Sequence, residues 1–175
     1  MSAEGTATTS QGSPFWRFSL RFYRQPEVAD ACIALQEEAG VDVNLLLFLL
    51  WHATLKRTFS SPQVADLEQR IGAWREATVI PLRAVRRALK APPALVVPAT
   101  AELFRTKIKA VELEAERLQQ EAMYALANPA PLGSVAPSAQ AAARANVAAY
   151  AATVARPFPT SAVDIVLAAF AQSQE

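Results

Sequence analysis

GVDVNLLLFLLWHATLKR, residues 40–57, decides how the chain is read. Seven consecutive apolar residues, Leu45 to Trp51, follow Asp42 and Asn44 and run into His52. The run is well short of the ~20 apolar residues that a membrane-spanning helix needs. A helix that is apolar all round belongs in the middle of a bundle, wrapped by amphipathic neighbours. Asp42 suits its N-cap, where a carboxylate accepts from free backbone N–H groups and meets the positive end of the helix dipole. Asn44 falls in the first turn, and His52 is expected at the edge of the core, bonded to backbone or a carboxylate. In a regular helix Asp42 and His52 stand ~15 Å apart. A general base must lie within hydrogen-bond reach of its partner, so these two form no dyad.

Upstream, Pro14 to Arg24 is a helix with Phe15, Phe18 and Phe22 on one face, a core stripe rather than a cofactor box. Pro26 opens a second helix with Val28, Ala31, Cys32 and Leu35 inside, closed by Gly40 as a left-handed C-terminal cap. Downstream, Ser61-Pro62 starts a fourth helix whose buried face carries Val64, Leu67, Ile71 and Trp74. Pro81 predicts either a kink or a break near Thr78. Its continuation, PLRAVRRALK, puts Leu82, Val85 and Leu89 inside and Arg83, Arg86, Arg87 and Lys90 outside.

APPALVVP (91–98) is a loop, and a long helix follows over 99–127. Phe104, Ile108, Val111, Ala115, Leu118 and Ala122 alternate by four and three, the spacing of a bundle seam. NPAPLGSVAP (128–137) is a linker by composition. An alanine-rich helix over 138–155 has few large side chains and is expected to bury little. Ser161 and Asp164 give a capping signature for a last helix, Ala162 to Gln172.

Composition bounds the chemistry. The net charge is +1, with five glycines, twelve prolines, one cysteine and one histidine in 175 residues. A near-neutral chain lacks a nucleic-acid footprint. Cys32 has no intrachain partner and fits a reducing compartment, so the cytoplasm is the default location. One His and one Cys exclude a closed zinc site of the usual type, and Glu112 and Glu116 lack the His that a di-metal bundle requires. Phosphate loops, dinucleotide fingerprints and nucleophile elbows are absent. No catalytic residue, metal ligand or cofactor is assigned.

The informative polar pattern is charge. Arg83, Arg86, Arg87 and Lys90 place four cations in eight residues. On the long helix Arg105, Lys109, Glu112 and Glu116 fall within about 60° of one another, beside the apolar seam. Either Glu112 and Glu116 pair with Arg83, Arg86 or Arg87, or some of these arginines stay free to bind an anion.

FWRFSLRFY (15–23), ACIALQEEAGVDVNLLLFLLWHA (31–53), the region from Trp74 through PLRAVRRALK and KAVELEAERLQ (109–119) together resemble a bacterial family of small helical proteins of unknown function. The G-x-D-V-N element followed by a Leu-rich run and Trp carries the resemblance, which spans roughly 14–127. It implies an all-helical cytosolic protein and supplies no activity or site residue.

The reading is an all-α bundle of about five helices over 14–127, after a disordered leader (1–13), with a linker (128–137) and a loosely attached helical tail (138–175). Two functions follow. One is a non-enzymatic interaction or scaffold module with an unidentified protein partner. The other is a bundle binding an anionic small molecule, or acting on one, with Asp42, Asn44, His52, Arg83, Arg86, Arg87, Glu112 and Glu116 as the polar network.

Overall fold

The computed structural model describes residues 12–128 and 130–174. The leader expected over 1–13 lies outside them except for Gly12 and Ser13, which belong to the fold. Ser13 is buried and caps α1 (Pro14–Tyr23), its Oγ accepting from the Trp16 N–H at 3.1 Å. α2 (Val28–Ala39) ends at Gly40, whose φ of 76° lets its N–H reach the carbonyls of Gln36 and Leu35. α3 (Val43–Thr54) is the opening stretch. Every residue of it from Asn44 to Ala53 is buried except Trp51, which is partly covered.

α4 (Ser61–Trp74) continues without a break through a π turn (Arg75–Val79) into α5 (Ile80–Ala88). Pro81 has no N–H to offer, and its ring crowds the preceding turn. The ladder therefore widens, and the Ile80 N–H bonds the Arg75 carbonyl five residues back. The N-cap of α4 is Ser60 rather than Ser61, with the Gln63 side chain accepting from the Ser60 N–H at 2.9 Å. α6 (Pro98–Leu126), α7 (Ala139–Ala151) and α8 (Thr160–Gln172) complete the helices. α8 starts two residues early, behind Pro159, and Ser161 does not cap it.

The fold is mostly helical, with one departure inside the expected linker. β1 (Arg57–Thr58) pairs antiparallel with β2 (Ser134–Val135). Gly133 precedes β2 with φ of 79°, and a Cβ there would stand 2.5 Å from the Thr58 carbonyl oxygen. The linker segment is thus pinned to the end of α3. Among the described residues no helix is long and apolar enough to cross a membrane.

Two expectations are corrected by burial. The tail is not loose. A single hydrophobic cluster joins Phe15, Phe48 and Leu49 to Val147, Tyr150, Val166 and Phe170. α7 packs along α3, and α8 along α2. Alanine, taken as a residue that buries little, does the opposite here: Ala142 and Ala143 are fully covered because small side chains let two helices approach closely. Asn146 locks the pair, donating to the carbonyls of Leu49 (2.9 Å) and Arg57 (3.0 Å) and accepting from the Phe59 N–H (2.8 Å).

The second correction concerns α6. The expected seam faces outward at Phe104, Val111, Leu118 and Ala122, all exposed. The buried face is Ala101, Glu112, Ala115, Gln119, Gln120 and Met123. Likewise Trp74 and Val85, expected inside, are largely exposed, while the Trp74 Nε1 donates to the Ala115 carbonyl at 3.0 Å.

Candidate functional site

The polar inner face of α6 meets the N-terminus of α3. Asp42 caps α3 as its sequence position implies. Its Oδ1 accepts from the N–H groups of Asn44 (2.8 Å) and Leu45 (3.4 Å). Its Oδ2 accepts from Arg75 at 3.0 Å and from the Gln119 Nε2 at 2.9 Å. The Asp42 N–H donates to the Tyr150 hydroxyl at 2.8 Å, and that hydroxyl donates to Glu68 at 3.4 Å. Arg75, at the head of the π turn, also reaches Glu68 at 2.5 Å and closes the ring. Beside it the Asn44 Oδ1 accepts from the Gln120 Nε2 at 2.7 Å.

One turn back along α6 lies the charged cluster. Arg83 donates from Nε to Glu112 at 3.1 Å, from Nη2 to Glu116 at 2.8 Å and from Nη1 to Gln36 at 2.6 Å. Arg86 grips the same Glu112 with both Nε and Nη2. Such forked guanidinium–carboxylate geometry fixes orientation as well as charge. Arg87 stands apart, on exposed Glu37 of α2 at 2.7 Å.

The network therefore gathers Asp42, Asn44, Arg83, Arg86, Glu112 and Glu116 and leaves out two expected members. Arg87 is at the surface, and His52 is at the far end of α3. His52 is not at the core's edge. It is fully buried among Phe48, Trp51 and Phe59, with ring centroids 4.3–5.1 Å away. Its Nδ1–H donates to the Phe48 carbonyl at 3.1 Å, and Nε2 has no partner among the described residues. Burial, aided by Arg57, lowers its pKa to about 4, so the ring is neutral at physiological pH.

Electrostatics separate the carboxylates. Burial works against ionisation of Glu112, but hydrogen bonds from Arg86 and Arg83 outweigh it and hold the carboxyl below its usual range. For Glu116 and Glu68 burial prevails over the neighbouring arginines and raises the pKa. Burial pushes the Cys32 thiol up to about 12, making it an inert apolar filler. Tyr150 is raised by burial and by Glu68 and Asp42, so its hydroxyl stays protonated.

This network is closed upon itself. Each arginine is spent on a carboxylate of the same chain. Two open clefts lie elsewhere: one of about 380 Å³ between Phe59, Leu67, Arg70 and Leu132, the other of about 630 Å³ between Arg17, Phe18, Trp51 and Gln174. Neither is lined by Asp42, Arg83, Arg86, Glu112 or Glu116. Among the described residues no group of three or more His, Cys, Asp or Glu stands placed to hold a metal ion.

Residues 14–123, from Pro14 at the head of α1 to Met123 near the end of α6, match the model of a family described as a protein of unknown function, DUF2390. The chain belongs to the DUF2390 family. No curated protein and no solved structure matches it. The whole of the charged cluster lies inside the family span, whereas Tyr150 and Asn146, which complete the α3 cap and its exit, come from beyond it.

Sequence reasoning missed Glu68, Arg75, Gln119, Gln120, Asn146 and Tyr150. Two signals were present. Gln119 and Gln120 stand three and four residues after Glu116, extending the same helix face. In AQAAARANVAAYA, Asn146 and Tyr150 stand four apart on one face of an otherwise small-residue helix.

Proposed function

We propose that this DUF2390 protein is a non-enzymatic interaction module that docks another protein chain on the arm formed by α5 and the first half of α6. The observation that carries this reading is the arm's surface. Between Ile80 and Val111, all of them described, Ala101 alone is buried. Leu95 is 95 % and Leu103 70 % exposed, and Phe104, Val85 and Val97 are open as well. An apolar surface of this extent, rimmed by charged residues, marks a site that meets another molecule. The polar network supports the reading from the other side. It fixes the arm to the body through Arg83, Arg86, Glu112 and Glu116, and it leaves no arginine of that set free for an anion. A neutral His52 and an inert Cys32, both sealed in the core, suit a module without catalytic groups in the reducing cytoplasm.

The test is affinity capture with purified wild-type chain and with Phe104→Glu/Leu103→Gln, both checked for native circular dichroism. The expected result is a protein retained by the wild type, released by the variant, and bound directly by the wild type when both are pure. Identical retention by the two baits overturns the reading.

A further inference from the structure

We propose that the occupant of the outward stripe of α6 is an acidic amphipathic helix of another protein, with a carboxylate set against Lys107. This rests on the docking reading above and names the partner's chemistry. Between Ile80 and Val111 seven cations stand against one acid, Glu102. The arginines among them are matched inside the chain: Arg83 and Arg86 on Glu112, Arg83 also on Glu116, Arg87 on Glu37 and Arg105 on Glu102. Lys90, Lys107 and Lys109 are exposed and make no ion pair among the described residues. The arm's unbalanced charge is therefore positive and rests on these lysines.

Lys107 is the one that stands inside the apolar stripe. It follows Leu103 by four residues and Phe104 by three, and it precedes Val111 by four, so the four side chains are neighbours on one helix face. Lys109 falls about 200° further round the helix, on the other flank. Leu103 is 70 %, Phe104 51 % and Val111 52 % exposed. Anything that covers these three takes Lys107 out of water with them. A buried ammonium without a partner is strongly unfavourable, so the occupant must bring an acid to that point. The stripe also sets the occupant's shape. Phe104, Val111 and the half-exposed Leu118 recur every seven residues, a ridge of about 21 Å that suits a facing helix of about four turns. An anionic lipid surface would satisfy Lys107 but would meet exposed Glu114 on the same face, seven residues on. A helix confines its acid to the Lys107 end, and Glu114 is already held by Arg117 at 2.6 Å.

The probes are two labelled synthetic helices of about 18 residues with the same leucine face. One carries glutamates and the other lysines beside that face at one end. Fluorescence anisotropy with the full chain should show the acidic peptide binding about tenfold or more tighter than the basic one. Salt at about 0.5 M should narrow the gap. Lys107→Glu, natively folded by circular dichroism, should invert the preference, and Phe104→Glu should lose both peptides. Equal binding, no binding of either peptide, or a preference unchanged by Lys107→Glu overturns the proposal. Binding to phosphatidylglycerol vesicles without binding of the acidic peptide would assign the stripe to lipid instead. A dimer in sedimentation equilibrium that Phe104→Glu dissolves would assign it to a second copy. In the capture experiment above, a partner released by Phe104→Glu/Leu103→Gln but kept by Lys107→Glu would leave the docking reading standing and remove the acidic helix.

Discussion

α3 and the second half of α6 meet inside the bundle, and they obey opposite rules. α3 is apolar on every side and buried on every side, with one carboxylate at its N-cap. α6 is amphipathic, yet it turns Glu112, Gln119 and Gln120 inward and Phe104, Val111 and Leu118 outward. What each helix packs against explains the difference. α3 lies among apolar flanks: Phe15 and Phe22 of α1, Leu35 of α2, Val147 of α7. α6 meets the start of α3, where the buried Asp42 carboxylate and Asn44 amide oxygen accept from Gln119 and Gln120, and the π turn, where Arg75 projects. A buried helix terminus needs acceptors and donors, because each unpaired polar group costs about 1–3 kcal/mol. Amphipathicity therefore identifies two faces, and the neighbour decides which one is inside.

Truncating one phenylalanine in each helix should give the largest contrast. Phe48→Ala removes a fully buried ring that contacts Phe15, Trp51 and His52, and should cost about 3–5 kcal/mol. Phe104→Ala should cost less than about 1 kcal/mol, because half of the ring is already in water. Urea denaturation of both variants measures the contrast. Equal costs would mean that the α6 face is packed after all.

The next effect separates by pH. His52 has a folded pKa of about 4 against an ordinary 6.5. Between these values the unfolded chain takes up a proton that the folded chain refuses. Stability should therefore fall as pH drops below 6.5 and level off below about 4, with a total of roughly 3 kcal/mol at 1.36 kcal/mol per unit. His52→Leu removes the buried Nε2 that lacks a partner among the described residues and should flatten this part of the curve. The Phe48 carbonyl keeps its helical bond in that variant. The observable is the difference in unfolding free energy between wild type and variant from pH 7 to pH 4, in which the carboxylate contributions cancel. A parallel decline in both proteins would show that His52 is not the group responsible.

The elements that sequence made legible are those whose burial is local. The seven-residue run of α3, its Asp42 cap, the Gly40 stop and the Phe15–Phe18–Phe22 stripe each follow from spacing and capping alone. The helix faces left two alternatives open for Arg83 and Arg86, pairing with Glu112 and Glu116 or a free anion site, and it is the contacts of the folded chain that put both arginines on the two carboxylates. The rest depends on contacts more than seventy residues apart. Gln119 is polar inside only because Asp42 is there, and Tyr150 is buried only because α7 lies along α3. A low content of large side chains suggested a loose tail, whereas small side chains are what allow α7 to approach so closely. The four-three spacing in α6 marks the helix but not its inner side: of the expected seam Ala115 is buried, while Phe104, Val111 and Leu118 face outward, since periodicity carries no direction.

Tyr150→Phe tests the tail directly and should have a smaller effect. It deletes one oxygen, the acceptor for the Asp42 N–H and the donor to Glu68. A buried N–H left without its partner should cost about 1–3 kcal/mol, with the helix content unchanged. A change below about 0.5 kcal/mol in urea denaturation would restore the picture of α7 as an appendage.

The smallest effect is the most discriminating for α6. Val111→Gln replaces an apolar residue in the middle of the outward stripe, a position 52 % exposed, by a better helix former. In an inward seam such a change would bury an amide without a partner and cost several kcal/mol. On an outward face the monomer should change by no more than about 0.5 kcal/mol. Thermal unfolding of the isolated variant should therefore match the wild type. A fall of several degrees would show that Val111 packs inside, whereas an unchanged midpoint distinguishes an outward face from a core that faces the wrong way.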